Sequence, residues 1–177
     1  MSRLPIALAC LLLALFAASC GDDEQEASST PQETATATPE PAGTVDASAI
    51  SKDLTDKPSI PKPEGTPPAE LQATDLVKGK GKKAKAGDTV SVQYVGNSWS
   101  TGAQFDASWD RGGEPFEFPL GAGQVIPGWD EGVAGMKAGG RRLLVIPPDL
   151  AYGDQSPSPD IGPNETLIFV VDLEKIS

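Results

Sequence analysis

The chain has 177 residues, 38% apolar and 6% aromatic, which is enough for one domain plus accessories but lean for a chain folded throughout. Its 25 acidic residues against 14 basic ones give a net charge of -11 and argue against a nucleic-acid partner. No histidine is present, so catalysis by the commonest general base and the commonest metal ligand is excluded.

In residues 1–19, Arg3 precedes an apolar run from Leu4 to Ala18, and the small residues Ala17, Ala18 and Ser19 lead into Cys20. The run falls short of the roughly 20 apolar residues that span a bilayer and has the layout of an export signal. A cysteine at that place resembles the lipobox of bacterial lipoproteins, which implies a diacylglycerol thioether on Cys20; an ordinary secretory signal is the alternative. Cys10 would leave with the signal, so Cys20 would be the one remaining cysteine and no intramolecular disulfide could form. Each buried acyl CH₂ contributes about 0.8 kcal/mol, so a multiply acylated Cys20 would hold the protein at a membrane surface, outside the cytoplasm.

From residue 20 to residue 68 the composition is Ser, Thr, Ala, Pro and acidic residues, with apolar side chains scattered singly and without period. Such a stretch cannot offset the entropy of ordering its backbone, and the expectation is a disordered linker.

Residues 69–177 read as one folded domain. Short β-like runs separated by glycine predict strands over 70–77, 89–95, 104–108, 116–120, 141–146 and 166–176. In the second, Val90, Val92 and Tyr94 share one face and Thr89, Ser91 and Gln93 the other, as in a half-buried antiparallel strand. The last is apolar on both faces at its start and predicts a central strand. Pro127 can open a helix because its missing N–H has no intrahelical partner to lose, and Gly132, Gly135, Gly139 and Gly140 limit that helix to about 127–134. A lone short helix carrying Trp129 needs a sheet to bury against. The lysine-rich stretch 78–88 reads as a solvated turn, since no Gly-Lys-Ser/Thr follows its glycines.

Across this domain the blocks Gly87-Asp88-Thr89-Val90, Val92-Gln93-Tyr94-Val95-Gly96, Phe105-Asp106-Ala107-Ser108, Pro115-Phe116-Glu117-Phe118, Val125-Ile126-Pro127-Gly128-Trp129, Ala151-Tyr152-Gly153 and Thr166-Leu167-Ile168-Phe169 resemble, in order, the FKBP-type peptidyl-prolyl cis/trans isomerases. The resemblance implies an α+β fold, an antiparallel sheet of five or six strands wrapped around one short helix. It places Trp129 at the floor of a prolyl pocket, with Tyr94, Phe105, Phe116, Val125, Ile126 and Phe169 as walls and Asp106, Tyr152 and Ile161 at the rim or roof. It further implies that the Ile126 N–H and the Tyr152 hydroxyl bind substrate carbonyls, with Asp106 near the rotating carbonyl and Tyr94 beside it. Plain core packing is the competing role for the aliphatics, and a solvated turn charge for Asp106. The stretch 154–165 departs from the family pattern, lacking a histidine and carrying Asp160 where an apolar residue is common.

No bond is broken in prolyl isomerisation, so neither metal nor cofactor is required. The implied partners are proline-containing exported polypeptides, the membrane through Cys20, and macrolide inhibitors. A non-catalytic module or holdase that grips proline segments would need the same pocket. A wall-binding protein using Trp99 and Trp109 is a third reading.

Overall fold

The computed structural model describes residues 42–177; the expected export signal, Cys20 and the part of the expected linker at 20–41 lie outside the described residues. Six strands, β1 (Gln72–Val77), β2 (Thr89–Ser98), β3 (Gln104–Ala107), β4 (Phe116–Pro119), β5 (Gly140–Ile146) and β6 (Leu167–Ile176), form one antiparallel sheet. Their order is β1-β5-β6-β2-β3, with β4 also on β2. β6 is central, as its apolar start predicts. β2 runs three residues past its expected end because its ladder with β6 continues to Ser98↔Leu167.

Helix α1 (Pro127–Val133) lies against one face, the front. Its two glycines are what let it come so close. A Cβ on Gly128 would sit 2.3 Å from Ile146 Cγ2, and one on Gly132 would sit 2.8 Å from Leu144 Cδ1. The helix-propensity cost of these glycines is therefore offset by tight packing against β5. Trp129, Val133, Phe118, Leu144, Ile146, Phe169 and Leu173 fill the space between helix and sheet.

The back face departs from expectation. Residues 42–68, expected within a disordered linker, form an ordered strap across it. Ile50 is 2% exposed and Ile60 7%, and with Val45 and Ala47 they cover Val95, Leu143, Val145, Ile168 and Val170. The strap's ends pair with each other: Gly43 N–H donates to Thr66 O at 2.6 Å, and Thr44 and Glu64 exchange backbone hydrogen bonds. A Cβ on Gly43 would lie 2.3 Å from Glu64 O, so this clasp requires glycine. Trp99 and Trp109 pack into the same layer, so neither is the exposed aromatic that a wall-binding reading needs.

Beneath the strap Arg141 is 0% exposed. Its Nε and Nη2 donate to the two Asp172 carboxylate oxygens at 2.6 Å each, and its remaining hydrogens reach Ser51 O at 2.6 Å and Asp56 O at 3.1 Å. Strap backbone thus supplies the acceptors that a buried guanidinium needs. β2 is not half-buried either. Ser91 and Gln93, expected to face water, are buried, and Gln93 is satisfied by hydrogen bonds with Ser108 Oγ and Gly113 O.

Candidate active site

On the front face, at the N-terminal end of α1, a cavity of about 230 Å³ opens between helix and sheet. Tyr94, Phe105, Asp106, Phe116, Val125, Ile126, Trp129, Tyr152 and Phe169 line it, together with Gln124. Nine of the ten residues singled out from the sequence thus meet at one place. The tenth, Ile161, does not line this cavity. It is 5% exposed and lines an adjoining cavity shared with Phe105, Asp106 and Tyr152, in a loop closed by the Ser158↔Ile161 bridge.

Trp129 is the floor. Its ring meets Tyr94 edge-on at 5.1 Å and Phe169 at 5.2 Å, and Phe116 and Phe118 complete an aromatic cluster in the favoured T-shaped and tilted geometries. Its buried Nε1–H has no partner among the described residues. Phe105 crosses Phe169 at 5.6 Å over Gly96, where a Cβ would lie 2.7 Å from both rings. Gly96 therefore keeps that wall open. Phe116 is 38% exposed, and its outer edge forms part of the mouth.

Polar groups sit where the wall is interrupted. Ile126 precedes α1 in extended conformation, its carbonyl accepting the Trp129 N–H at 2.9 Å, and its own N–H has no acceptor among the described residues. The preceding loop is held by Asp130, whose carboxylate accepts from Gly121 N–H at 2.8 Å and Gly123 N–H at 3.0 Å. Tyr152 is half-exposed, and its hydroxyl makes no hydrogen bond within the described residues. Burial and the nearby Asp106 charge push that phenol above its usual pKa. Tyr94 donates to Asp106 Oδ2 at 2.5 Å. Burial, reinforced by this hydrogen bond, pushes the Tyr94 hydroxyl up to about 12, so it stays protonated and a donor at neutral pH.

Arg111 completes this group and was missed from the sequence. It donates to Asp106 Oδ1, donates from Nη2 to the Tyr94 hydroxyl at 2.7 Å, and lies 5.4 Å from the Tyr94 ring centre. The one sequence signal is an arginine five residues after Asp106, just ahead of Gly112 and Gly113. Both glycines adopt positive φ, which ends the 3₁₀ turn Ser108–Arg111 and turns the guanidinium back over the sheet. Gln124 went unremarked because a polar residue beside Val125-Ile126 looks like ordinary loop.

An antiparallel sheet curled over one short helix, with an aromatic cavity between them and donors at its mouth, defines a class of small proteins that enclose an apolar segment of a peptide. Residues 80–174 match the family of FKBP-type peptidyl-prolyl cis-trans isomerases. An FK506-binding protein of Streptomyces anulatus is 59% identical over 119 residues, covering 67% of this chain and 95% of that one. A probable FK506-binding protein of Corynebacterium glutamicum is 45% identical over 118 residues, covering 67% and 97%. The crystal structure of AtFKBP13 superposes with a TM-score of 0.56 at 37% identity, covering 62% of this chain and 95% of that one. This chain belongs to the FKBP-type peptidyl-prolyl cis/trans isomerases, and its enzymatic activity is prolyl isomerisation.

Proposed function

We propose that this isomerase is exported, held by lipid on Cys20 at the outer side of the cytoplasmic membrane, and turns X-Pro bonds in other exported chains. The observation that carries the catalytic part is the convergence of four polar groups, the Tyr94 and Tyr152 hydroxyls, the Asp106 carboxylate and the Ile126 N–H, around one aromatic cavity. The layout of residues 1–20 supports the cellular part.

Rotation about an X-Pro bond faces a barrier of about 18–20 kcal/mol set by amide resonance. The twisted imide has lost conjugation and much of its dipole. An enzyme accelerates the reaction by holding that form more tightly than either planar one. In this reading the proline ring rests on Trp129 between Val125, Ile126 and Phe169, in dry surroundings that disfavour the more dipolar planar amide. The Ile126 N–H and the Tyr152 hydroxyl take substrate carbonyls on either side, while Asp106, oriented by Tyr94 and Arg111, faces the rotating carbonyl. Each such bond contributes on the order of 1 kcal/mol net. The same cavity would take macrolides of the kind for which the curated relatives are named.

The test is an NMR exchange or protease-coupled assay on Ala-Leu-Pro-Phe-type peptides. Asp106→Leu and Tyr152→Phe should each lower kcat/KM several-fold while the urea midpoint of the folded chain stays put. Unchanged rates would remove those two residues from the mechanism. For the anchor, Cys20→Ser should move the protein from the membrane to the soluble fraction of cells, and retention on membranes would sink the lipid reading.

A further inference from the structure

The strap on the back face reaches the 3₁₀ turn Ser108–Arg111, which carries the arginine beside the front-face pocket. Lys57 Nζ donates to both carboxylate oxygens of Asp110 at 2.7 Å, and Gln104 Nε2 donates to Asp110 Oδ2 at 2.8 Å. Asp110 directly precedes Arg111, the guanidinium that orients Asp106 and Tyr94. Asp106 pairs directly with Arg111, the Asp110 carboxylate lies within range of the same guanidinium charge, and the cation that pairs with Asp110 comes from a segment 53 residues upstream.

Lys57 is a long, flexible side chain, and an exposed lysine normally directs nothing. Here its backbone is clamped on both sides. Asp56 O accepts from the buried Arg141, and Pro58 is a buried residue of the strap. The backbone at Lys57 is thereby held in place, which leaves only its side-chain rotamers to be ordered by the ion pair. Hydrogen bonds from Lys57 and then Gln104 hold the Asp110 carboxyl below its ordinary range, so Asp110 is a full negative charge beside Arg111. After Lys57, Arg111 is the other cation whose charge acts on Asp110 among the described residues. Lys57 lies outside the residues 80–174 matched by the family.

We propose that Lys57 is a positioning residue of the isomerase site: by occupying Asp110 it reserves Arg111 for Asp106 and Tyr94. The pair is exposed, with side-chain exposures of 36% and 53%, so the effect is modest and weakened by salt. The proposal rests on the role given to Asp106 in turnover.

The test uses the full mature chain and a prolyl tetrapeptide at low ionic strength. Lys57→Met should lower kcat/KM about threefold, the scale of one exposed ion pair, with the urea midpoint little changed. Lys57→Arg should keep the wild-type rate, and the loss in Lys57→Met should shrink at high salt. The deciding variant is Lys57→Met with Asp110→Asn. Removing the competing carboxylate should restore the wild-type rate and return the Arg111 side-chain NMR signals, shifted in Lys57→Met, to their original positions. A double variant as slow as Lys57→Met would mean that Lys57 acts only through strap packing, and a wild-type rate for Lys57→Met would equally overturn the proposal. If Asp106→Leu is also silent, the reading of the site itself has failed. If Asp106→Leu is slow and Lys57→Met is not, only the role of Lys57 is lost.

Discussion

The two faces of this sheet solve the same problem in opposite ways. On the back, aliphatic side chains are covered by residues 42–68, and the one buried cation, Arg141, finds Asp172 and two strap carbonyls for its hydrogens. On the front, aromatic side chains are covered only in part by α1, and the Trp129 Nε1–H and the Ile126 N–H are left without partners among the described residues. A face completed by its own chain contributes stability. A face left incomplete keeps surface and donors for a ligand, at a cost in stability that the completed face helps to offset.

The largest effect should come from the back. Asp172→Ala leaves the Arg141 guanidinium buried beside neutral groups and should destabilise the fold by about 3–5 kcal/mol in urea unfolding, while kcat/KM per folded molecule is retained. A loss of turnover in the folded fraction would show that the two faces are not separable. Next, Trp129→Ala should cost about 3 kcal/mol, at the low end for a large core aromatic because the void opens into an existing cavity, and should abolish turnover together with ligand-induced fluorescence change. The smallest effect is on pH dependence. The Tyr94 pKa is raised in the folded state to about 12 from an unfolded value near 10, so its contribution to stability is fully present below pH 10 and lost as pH rises through 12. The urea midpoint should fall over that window in the wild type and fall less in Tyr94→Phe. Equal slopes would mean that the front-face hydroxyl network contributes nothing to folding.

Much of the front face was legible in the sequence because regular structure writes its burial as a period. Val90, Val92 and Tyr94 alternate along β2, Pro127 marks the helix start, and the aromatic set from Tyr94 to Phe169 follows the order of an established family. The strap writes no period. Val45, Ile50 and Ile60 are spaced by the contours of the sheet they cover, so in sequence they are isolated apolar residues in a Pro-, Ser- and acid-rich stretch and read as linker. For residues 42–68 the sheet supplies the apolar surface that the segment's own composition lacks. Arg111 was hidden for a related reason. Which of several surface charges meets Asp106 depends on two positive-φ glycines and a 3₁₀ turn that redirect the chain, and local spacing carries no record of that. The sequence alone determined the fold class, the aromatic pocket and the isomerase family. Tertiary structure decided which charges meet at its rim and how far the folded domain extends, because both depend on surfaces that exist only once distant segments have packed.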